Sequence, residues 1–480
     1  MVVQTSLGTL RGQSRDTGAV FGAIPYAAAP VGAQRYRAPA PAPRWDGVRE
    51  AAALGRPLPQ PERTLPGIFS EPLLGWREDR DPELTLNVWT PDPGAHGLPV
   101  LVWLHGGAFI AGSPQLYDGS AWMRDGIVLV TVGYRLGIEG FVHFAGGDTN
   151  VALRDQLAAL EWVQEEIAAF GGDPGRVCLA GQSAGAMSLG WLLGSERSAG
   201  LFQRAISMSG GVELTYSPEQ AARIATTVAE RAGAEPTAAA MSRIPVAKVI
   251  DVQESIAPGE IELDTPEDRD PTGGMLWVAP VRDGDVVAED PLAAVGRGAT
   301  VDLLIGDTSE EGLLYLAGVP GFDEFPAEAL AAFVARLSPE PESLLARLRS
   351  SEPDAAPGKL AAQAITAVAF HAPTRALRER HASLGDRRTY GYRFAWRSGA
   401  LGGRLGSAHA IDVPFVFDAM QDPRYSGADD RILGVAGGPQ ELADRMHGAW
   451  VRFVTDGEPG WAEHPAVEVL AAEVDAPARA

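Results

Sequence analysis

Val177-Cys178-Leu179-Ala180-Gly181-Gln182-Ser183-Ala184-Gly185 decides the fold of this chain. A short apolar run reads as a buried strand, and a segment that can be helix, Ala186–Leu193, follows directly. Between them lies G-x-S-x-G. A strand that turns into a helix over one serine strains that serine's backbone, and small residues two positions to either side let strand and helix approach closely. The hydroxyl is lifted above the sheet edge, within reach of a base and of a substrate carbonyl. The five-residue pattern alone occurs by chance; its setting between strand and helix gives it weight.

Outward from this point the chain alternates in the same way. Leu98–Leu104, Ile127–Val132, Ala205–Met208, Val301–Ile305 and Thr389–Trp396 are apolar runs bounded by Gly, Pro or Asp, and they are predicted to be buried strands. Asn150–Phe170 carries Leu153, Leu157, Leu160, Val163 and Ile167 at helical spacing, and Gly171-Gly172-Asp173-Pro174 stops it. Strand and helix in repetition imply a largely parallel sheet covered on both faces, with the active site at the carboxyl ends of the strands. Leu54–Asp81, rich in Pro and charge, and Ser217–Asp270, rich in Ala and Glu, fit a sheet poorly. Both read as excursions that wall a pocket, so residues 1–480 are taken as one domain.

Bulk properties narrow the function. The 480 residues carry 21% charged and 45% hydrophobic side chains, an ordinary globular composition. A formal charge of −22 repels nucleic acid and anionic membrane surfaces, so neither is expected as a partner. Cys178 is the single cysteine, which excludes an internal disulfide, multi-cysteine metal sites and CxxC redox chemistry. No basic region leading into an apolar stretch and no long apolar run is visible, so the expected location is cytoplasmic. With HExxH absent, neither a metal nor a cofactor is expected.

A second signal lies upstream. His105-Gly106-Gly107-Ala108-Phe109 follows the strand ending at Leu104. A serine that adds to a carbonyl creates an oxyanion, and backbone N–H groups of a Gly-rich loop stabilise it because no side chain blocks their approach. Such a loop, with the N–H that follows the nucleophile, here Ala184, is the arrangement expected of lipases and esterases. The oxyanion hole is therefore expected from Gly106, Gly107, Ala108 and Ala184, with His105 fixing the loop.

Many stretches in one order bring a family into view. They are Gly8-Thr-Leu-Arg-Gly12, Phe21-Gly-Ala-Ile-Pro-Tyr26, Pro30-Val-Gly32, Leu84-Thr-Leu-Asn-Val-Trp-Thr-Pro91, Gly133-Tyr-Arg-Leu-Gly137, Phe170-Gly-Gly-Asp-Pro174, Gly200-Leu-Phe-Gln-Arg-Ala-Ile206 and Asp412-Val-Pro-Phe-Val-Phe417. Over nearly its whole length the chain resembles the type-B carboxylesterase family, which includes bacterial para-nitrobenzyl esterases, carbamate-cleaving hydrolases and cholinesterases. The resemblance implies an α/β-hydrolase fold with helical insertions around the pocket, and hydrolysis of small-molecule carboxylic esters through an acyl-enzyme. In this fold the triad runs Ser, acid, His along the chain, so His96, His105 and His143 are excluded as the base. His409, in Ala408-His409-Ala410-Ile411-Asp412, matches the family's loop bearing the catalytic His. His371, His381, His447 and His464 read as packing or solvated residues. The acid falls in Gly306-Asp307-Thr308-Ser309-Glu310-Glu311-Gly312. The family's Glu before this Gly selects Glu311, with Asp307 and Glu310 as local competitors.

Two departures from the family stand out. Gln182 replaces the Glu that most members carry before the nucleophile. Asp412 matches another acidic position near the catalytic His and is expected to substitute in part. Glu83 stands where the family has a Cys, so the disulfide-closed pocket loop cannot form and 59–81 is expected to move more freely. Phe109, Trp277 and Phe415 match positions that line or support the family's pocket, implying an apolar or aromatic group on the substrate. Ser–Lys chemistry is excluded because Pro245 and Ala356 stand three residues before Lys248 and Lys359. A Walker A loop fails at Pro353. A non-catalytic binding protein of the same fold would lack the triad or the oxyanion loop. A carbamate or amide hydrolase would share one tetrahedral intermediate with an esterase and stays open at this point.

Overall fold

The structure, a computed structural model, describes residues 1–62, 76, 78 and 80–472. The freer loop expected over 59–81 therefore lies largely outside the described residues. Among the described residues thirteen strands run in chain order as β1 (Val2–Gln4), β2 (Thr9–Arg11), β3 (Gln13–Arg15), β4 (Gly18–Pro25), β5 (Val48–Glu50), β6 (Thr85–Thr90), β7 (Leu98–Leu104), β8 (Val128–Val132), β9 (Gly172–Gln182), β10 (Arg204–Met208), β11 (Asp302–Thr308), β12 (Thr389–Phe394) and β13 (Val467–Leu470). Ten of them form one sheet in the order β13-β12-β11-β10-β9-β7-β8-β6-β4-β3, and β1, β2 and β5 form a small second sheet. From β13 to β8 all neighbours are parallel. β6, β4 and β3 close the other edge antiparallel. This is the α/β-hydrolase architecture, a large, mostly parallel sheet flanked by helices.

Alternation along the central strands explains why both faces are covered. In β7, Val100, Val102 and Leu104 join one buried cluster while Leu101 and Trp103 join the other. In β9, Val177 and Leu179 face the first cluster, and Cys178 and Ala180 the second. A strand apolar on both faces must lie between two helical layers. Each fully buried Val or Leu side chain contributes roughly 1.5–3 kcal/mol. Register then sets the site: Leu104 pairs with Gly181, and Met208 pairs with both Gln182 and Gly306. Four strands thus end level with one another, and the segments that follow them converge.

Element boundaries differ from the sequence expectation where pairing extends them. β9 begins at Gly172 because that residue pairs with Leu98. The helix expected over Asn150–Phe170 is α-helical over Val151–Glu166 and tightens into a 3₁₀ turn at Ile167–Phe170, ending at Gly171 with φ 86°. The 217–270 excursion carries helices Pro218–Ala232 and Val246–Ser255. A further helical stretch between residues 327 and 384, not singled out in the sequence, covers the carboxyl end of the sheet. Among the described residues no helix is long and apolar enough to cross a membrane.

The helix Ala184–Gly194 starts hard against β7. A Cβ on Gly185 would stand 2.1 Å from the Leu104 carbonyl oxygen and 2.8 Å from that of His105, both backbone atoms that cannot move aside. Gly185→Ala is therefore expected to lower stability by about 1–3 kcal/mol and to abolish most activity. Urea denaturation followed by circular dichroism, with an ester assay on the same preparation, measures both; a variant with wild-type stability would contradict the packing argument.

Candidate active site

Ser183 stands between β9 and the helix Ala184–Gly194 with φ 55° and ψ −125°. A non-glycine residue held there costs on the order of 1–3 kcal/mol, which the surrounding packing must supply. Its N–H donates to the Met208 carbonyl at 2.9 Å and its C=O accepts from the Met187 N–H at 2.8 Å, locking the turn from both sides. The side chain, 6% exposed, opens into a chamber of about 710 Å³ lined also by Ala108, Phe109 and Ala184.

The loop after β7 is held in an unusual shape. Gly107, Ala108 and Phe109 have φ of 126°, 53° and 64° in succession. At Gly107 a Cβ would meet the Ala111 oxygen at 1.9 Å, so glycine is required. Among the described residues, the N–H groups of Gly107, Ala108 and Ala184 make no loop or side-chain hydrogen bond, and all three remain free to donate. Gly106 packs on the elbow, its missing Cβ leaving room for the Gln182 side chain and for Ser183 Cβ. His105 is buried and stacked on Tyr134 at 4.4 Å, with Nδ1 2.8 Å from the Gly106 carbonyl. Burial lowers its pKa to about 4 against a smaller opposing effect of that carbonyl, so the ring is neutral and braces the loop.

The three acidic residues at the end of β11 and just beyond it separate clearly. Asp307 pairs with Arg393, and Glu310 pairs with Arg397. Glu311 turns inward: its Oε2 lies 2.5 Å from His409 Nδ1, while Oε1 accepts from the Ser209 hydroxyl and the Thr308 N–H, each at 2.7 Å. Burial alone would raise the Glu311 carboxyl; the charge of His409 and the hydrogen bonds from His409, Ser209 and Thr308 outweigh it and hold the pKa below the ordinary value. A carboxylate so placed fixes the imidazole with Nδ1–H toward it and leaves Nε2 facing the opposite side. There the Gln182 amide nitrogen stands 3.1 Å away. Phe370 covers the imidazole at 4.5 Å between ring centroids. It sits in a π-helical turn, Thr366–His371, a local widening of the helix common at functional sites.

Other residues singled out in the sequence fall in different surroundings. Phe109 lines the chamber, whereas Trp277 is buried in the core and is not among the lining residues. Phe415 packs on Phe394 and Trp396 in the core and does not reach the chamber. Asp412 bonds to the Tyr392 hydroxyl at 3.1 Å and not to His409. Its burial, then the charge of Glu311, pushes its pKa up to about 7. His381 and His447 are buried packing residues, bonded to Thr389 and Val301, and to Val416 and Asp125. Sequence reasoning missed Ser209, Phe370, Glu213 and the chamber wall formed by Ile365, Val368 and Ala369. The apolar spacing of Leu360, Ala361, Ala364 and Ile365 was a usable signal for the wall. Among the described residues no three His, Cys, Asp or Glu side chains are placed to hold a metal.

A strained serine at a strand–helix elbow, a buried imidazole–carboxylate pair and free amides on a Gly-rich loop define an α/β-hydrolase built for acyl transfer. Residues 1–470 match the carboxylesterase family. The chain is 33% identical over 472 residues to the para-nitrobenzyl esterase of Bacillus subtilis, covering 95% of this chain and 90% of that protein. It is 32% identical to the phenmedipham hydrolase of Pseudarthrobacter oxydans, with the same coverage. The crystal structure of a Geobacillus stearothermophilus carboxylesterase matches with a TM-score of 0.80 at 31% identity, over 98% of this chain and 96% of that one. This chain belongs to the carboxylesterase family, and it is a carboxylic ester hydrolase.

Two predictions follow from the charges around His409. A carboxylate in place of the Gln182 amide favours the imidazolium, so Gln182→Glu should move the acid limb of the pH profile of kcat/KM upward, by about 0.5–1 pH unit; superimposable profiles would refute it. For Asp412, a folded-state pKa raised above the unfolded value means that the folded protein binds the extra proton between about pH 4 and 7. Stability contributed by that proton is present at low pH and lost as the pH rises through the window. Asp412→Asn should accordingly be more stable than wild type at pH 8, by about 1–3 kcal/mol, with the difference vanishing toward pH 4. Thermal unfolding across that range measures it.

Proposed function

We propose that Ser183, His409 and Glu311 are the catalytic triad and that the substrate carries an apolar or aromatic group. His409 takes the proton of Ser183 as the hydroxyl attacks the ester carbonyl. The N–H groups of Gly107, Ala108 and Ala184 receive the oxyanion, and Gly106 shapes the loop that presents them. The imidazolium, steadied by Glu311, protonates the departing alcohol and leaves an acyl-enzyme. Water activated by the same imidazole then releases the acid. The observation that carries this reading is the fully buried Glu311 bonded to His409 Nδ1, since a carboxylate fixed there orients the imidazole as a base and stabilises the imidazolium that forms when Ser183 gives up its proton. The apolar lining beside Ser183 supports the substrate preference: Met187, Leu214, Leu276 and Phe333 offer no polar group to a ligand. A cytoplasmic setting belongs to the same proposal, supported by the lone, buried Cys178.

Ser183→Ala should lower kcat on p-nitrophenyl esters by a factor on the order of 10⁴ or more, with KM little changed. A fluorophosphonate should label the wild type stoichiometrically, and peptide mapping should place the adduct on Ser183. Turnover surviving in Ser183→Ala, or an adduct elsewhere, would end the proposal. A series of acyl lengths set beside an aryl carbamate and an anilide distinguishes esterase from carbamate and amide preference.

A further inference from the structure

The chamber above Ser183 is apolar almost throughout, and Glu213 breaks the pattern. It follows β10 through Ser209-Gly210-Gly211-Val212 and is placed tightly: a Cβ on Gly211 would stand 2.8 Å from Glu213 Oε2 and 2.2 Å from Pro373 Cβ. Oε2 accepts the Val212 N–H at 2.9 Å. Among the described residues Oε1 accepts no hydrogen bond from the protein, and no Arg, Lys or His pairs with the carboxylate. Glu213 is exposed and lines the chamber, and the protein packed around it raises its pKa by desolvation, against smaller opposing effects of the Val212 and Glu213 N–H groups. The nearby cation on the wall, Arg375, is turned toward Glu379 on its own helix at 3.9 Å, with its side chain 65% exposed. The fold therefore places a charge in the substrate's own space and, among the described residues, gives it no cationic partner.

We propose that Glu213 is a specificity-determining residue that receives a cationic nitrogen, a protonated amine, carried on the substrate's apolar arm away from the ester. The proposal rests on the reading of Ser183 as the nucleophile in this chamber. An ammonium entering an apolar chamber loses its hydration, and a carboxylate waiting there with one free oxygen replaces it with a charge-assisted hydrogen bond. A neutral arm of the same shape would leave the carboxylate desolvated and unpaired, so the site discriminates in both directions. The chain's net charge of −22 adds long-range attraction for a cationic ester.

The test uses rigid p-nitrophenyl benzoates whose para arm is aminomethyl or its neutral isostere ethyl, then 2-aminoethyl or propyl, and finally carboxymethyl. Wild type should prefer the amine over its isostere in kcat/KM by about tenfold or more at one arm length, mainly through KM. Glu213→Gln keeps an acceptor for the Val212 N–H, and should remove that preference and improve turnover of the neutral ester. Glu213→Lys should turn the preference toward the carboxymethyl ester. A wild type indifferent to the amine at both lengths, or a preference that survives in Glu213→Gln, overturns the proposal. Ser183→Ala run on the ethyl ester separates the two readings: activity lost there upholds the nucleophile whatever Glu213 does, and activity retained there removes the nucleophile irrespective of the amine ratios.

Discussion

The approach of one helix to one strand end governs this structure. The helix Ala184–Gly194 begins where only glycine fits beneath the Leu104 and His105 carbonyls, and that closeness forces Ser183 into its left-handed turn. The strain is local, yet what maintains it is the whole sheet. β7, β9 and β10 are buried on both faces, and their registers fix how far each carboxyl end projects.

From that level edge each chemical group arrives by a different route. The loop after β7 offers amides, the turn after β9 offers a hydroxyl, and Ser209 after β10 and Thr308 at the end of β11 together secure Glu311. His409 comes from a long excursion after β12 and is fixed from below by Glu311 and from above by Phe370. Two mobile groups, an imidazole and a carboxylate, are thereby held before any substrate enters. Such preorganisation lets the site meet developing charge without rearranging itself. The chamber wall beside this machinery is mostly apolar, with Glu213 and Arg375 as its charged residues.

How far the site was legible depended on the range of the interactions involved. Ser183, the glycine loop and the parallel sheet follow from short stretches, because a strand–turn–helix and a Gly-rich loop are local solutions to local sterics. Residue type alone left Asp307, Glu310 and Glu311 as competitors in one segment and the resemblance selected Glu311; what separates them physically is that Arg393 and Arg397 capture the other two from distant positions. Phe415 and Trp277 were expected near the pocket, and the structure buries both in the core away from the lining residues, since an aromatic residue carries no mark of which side of a layer it fills.

By itself, then, the sequence determined the alternation of strands and helices, the elbow at Ser183 and the loop at Gly106 to Ala108, all set by backbone sterics and hydrophobic spacing within about ten residues. The tertiary structure alone decided what draws Asp307 and Glu310 away from His409, that Phe370 covers the imidazole, and that Glu213 lines the same chamber as Ser183. Those outcomes depend on groups tens to hundreds of residues apart sharing a few ångströms, and only the completed packing of the sheet and its helices brings them there.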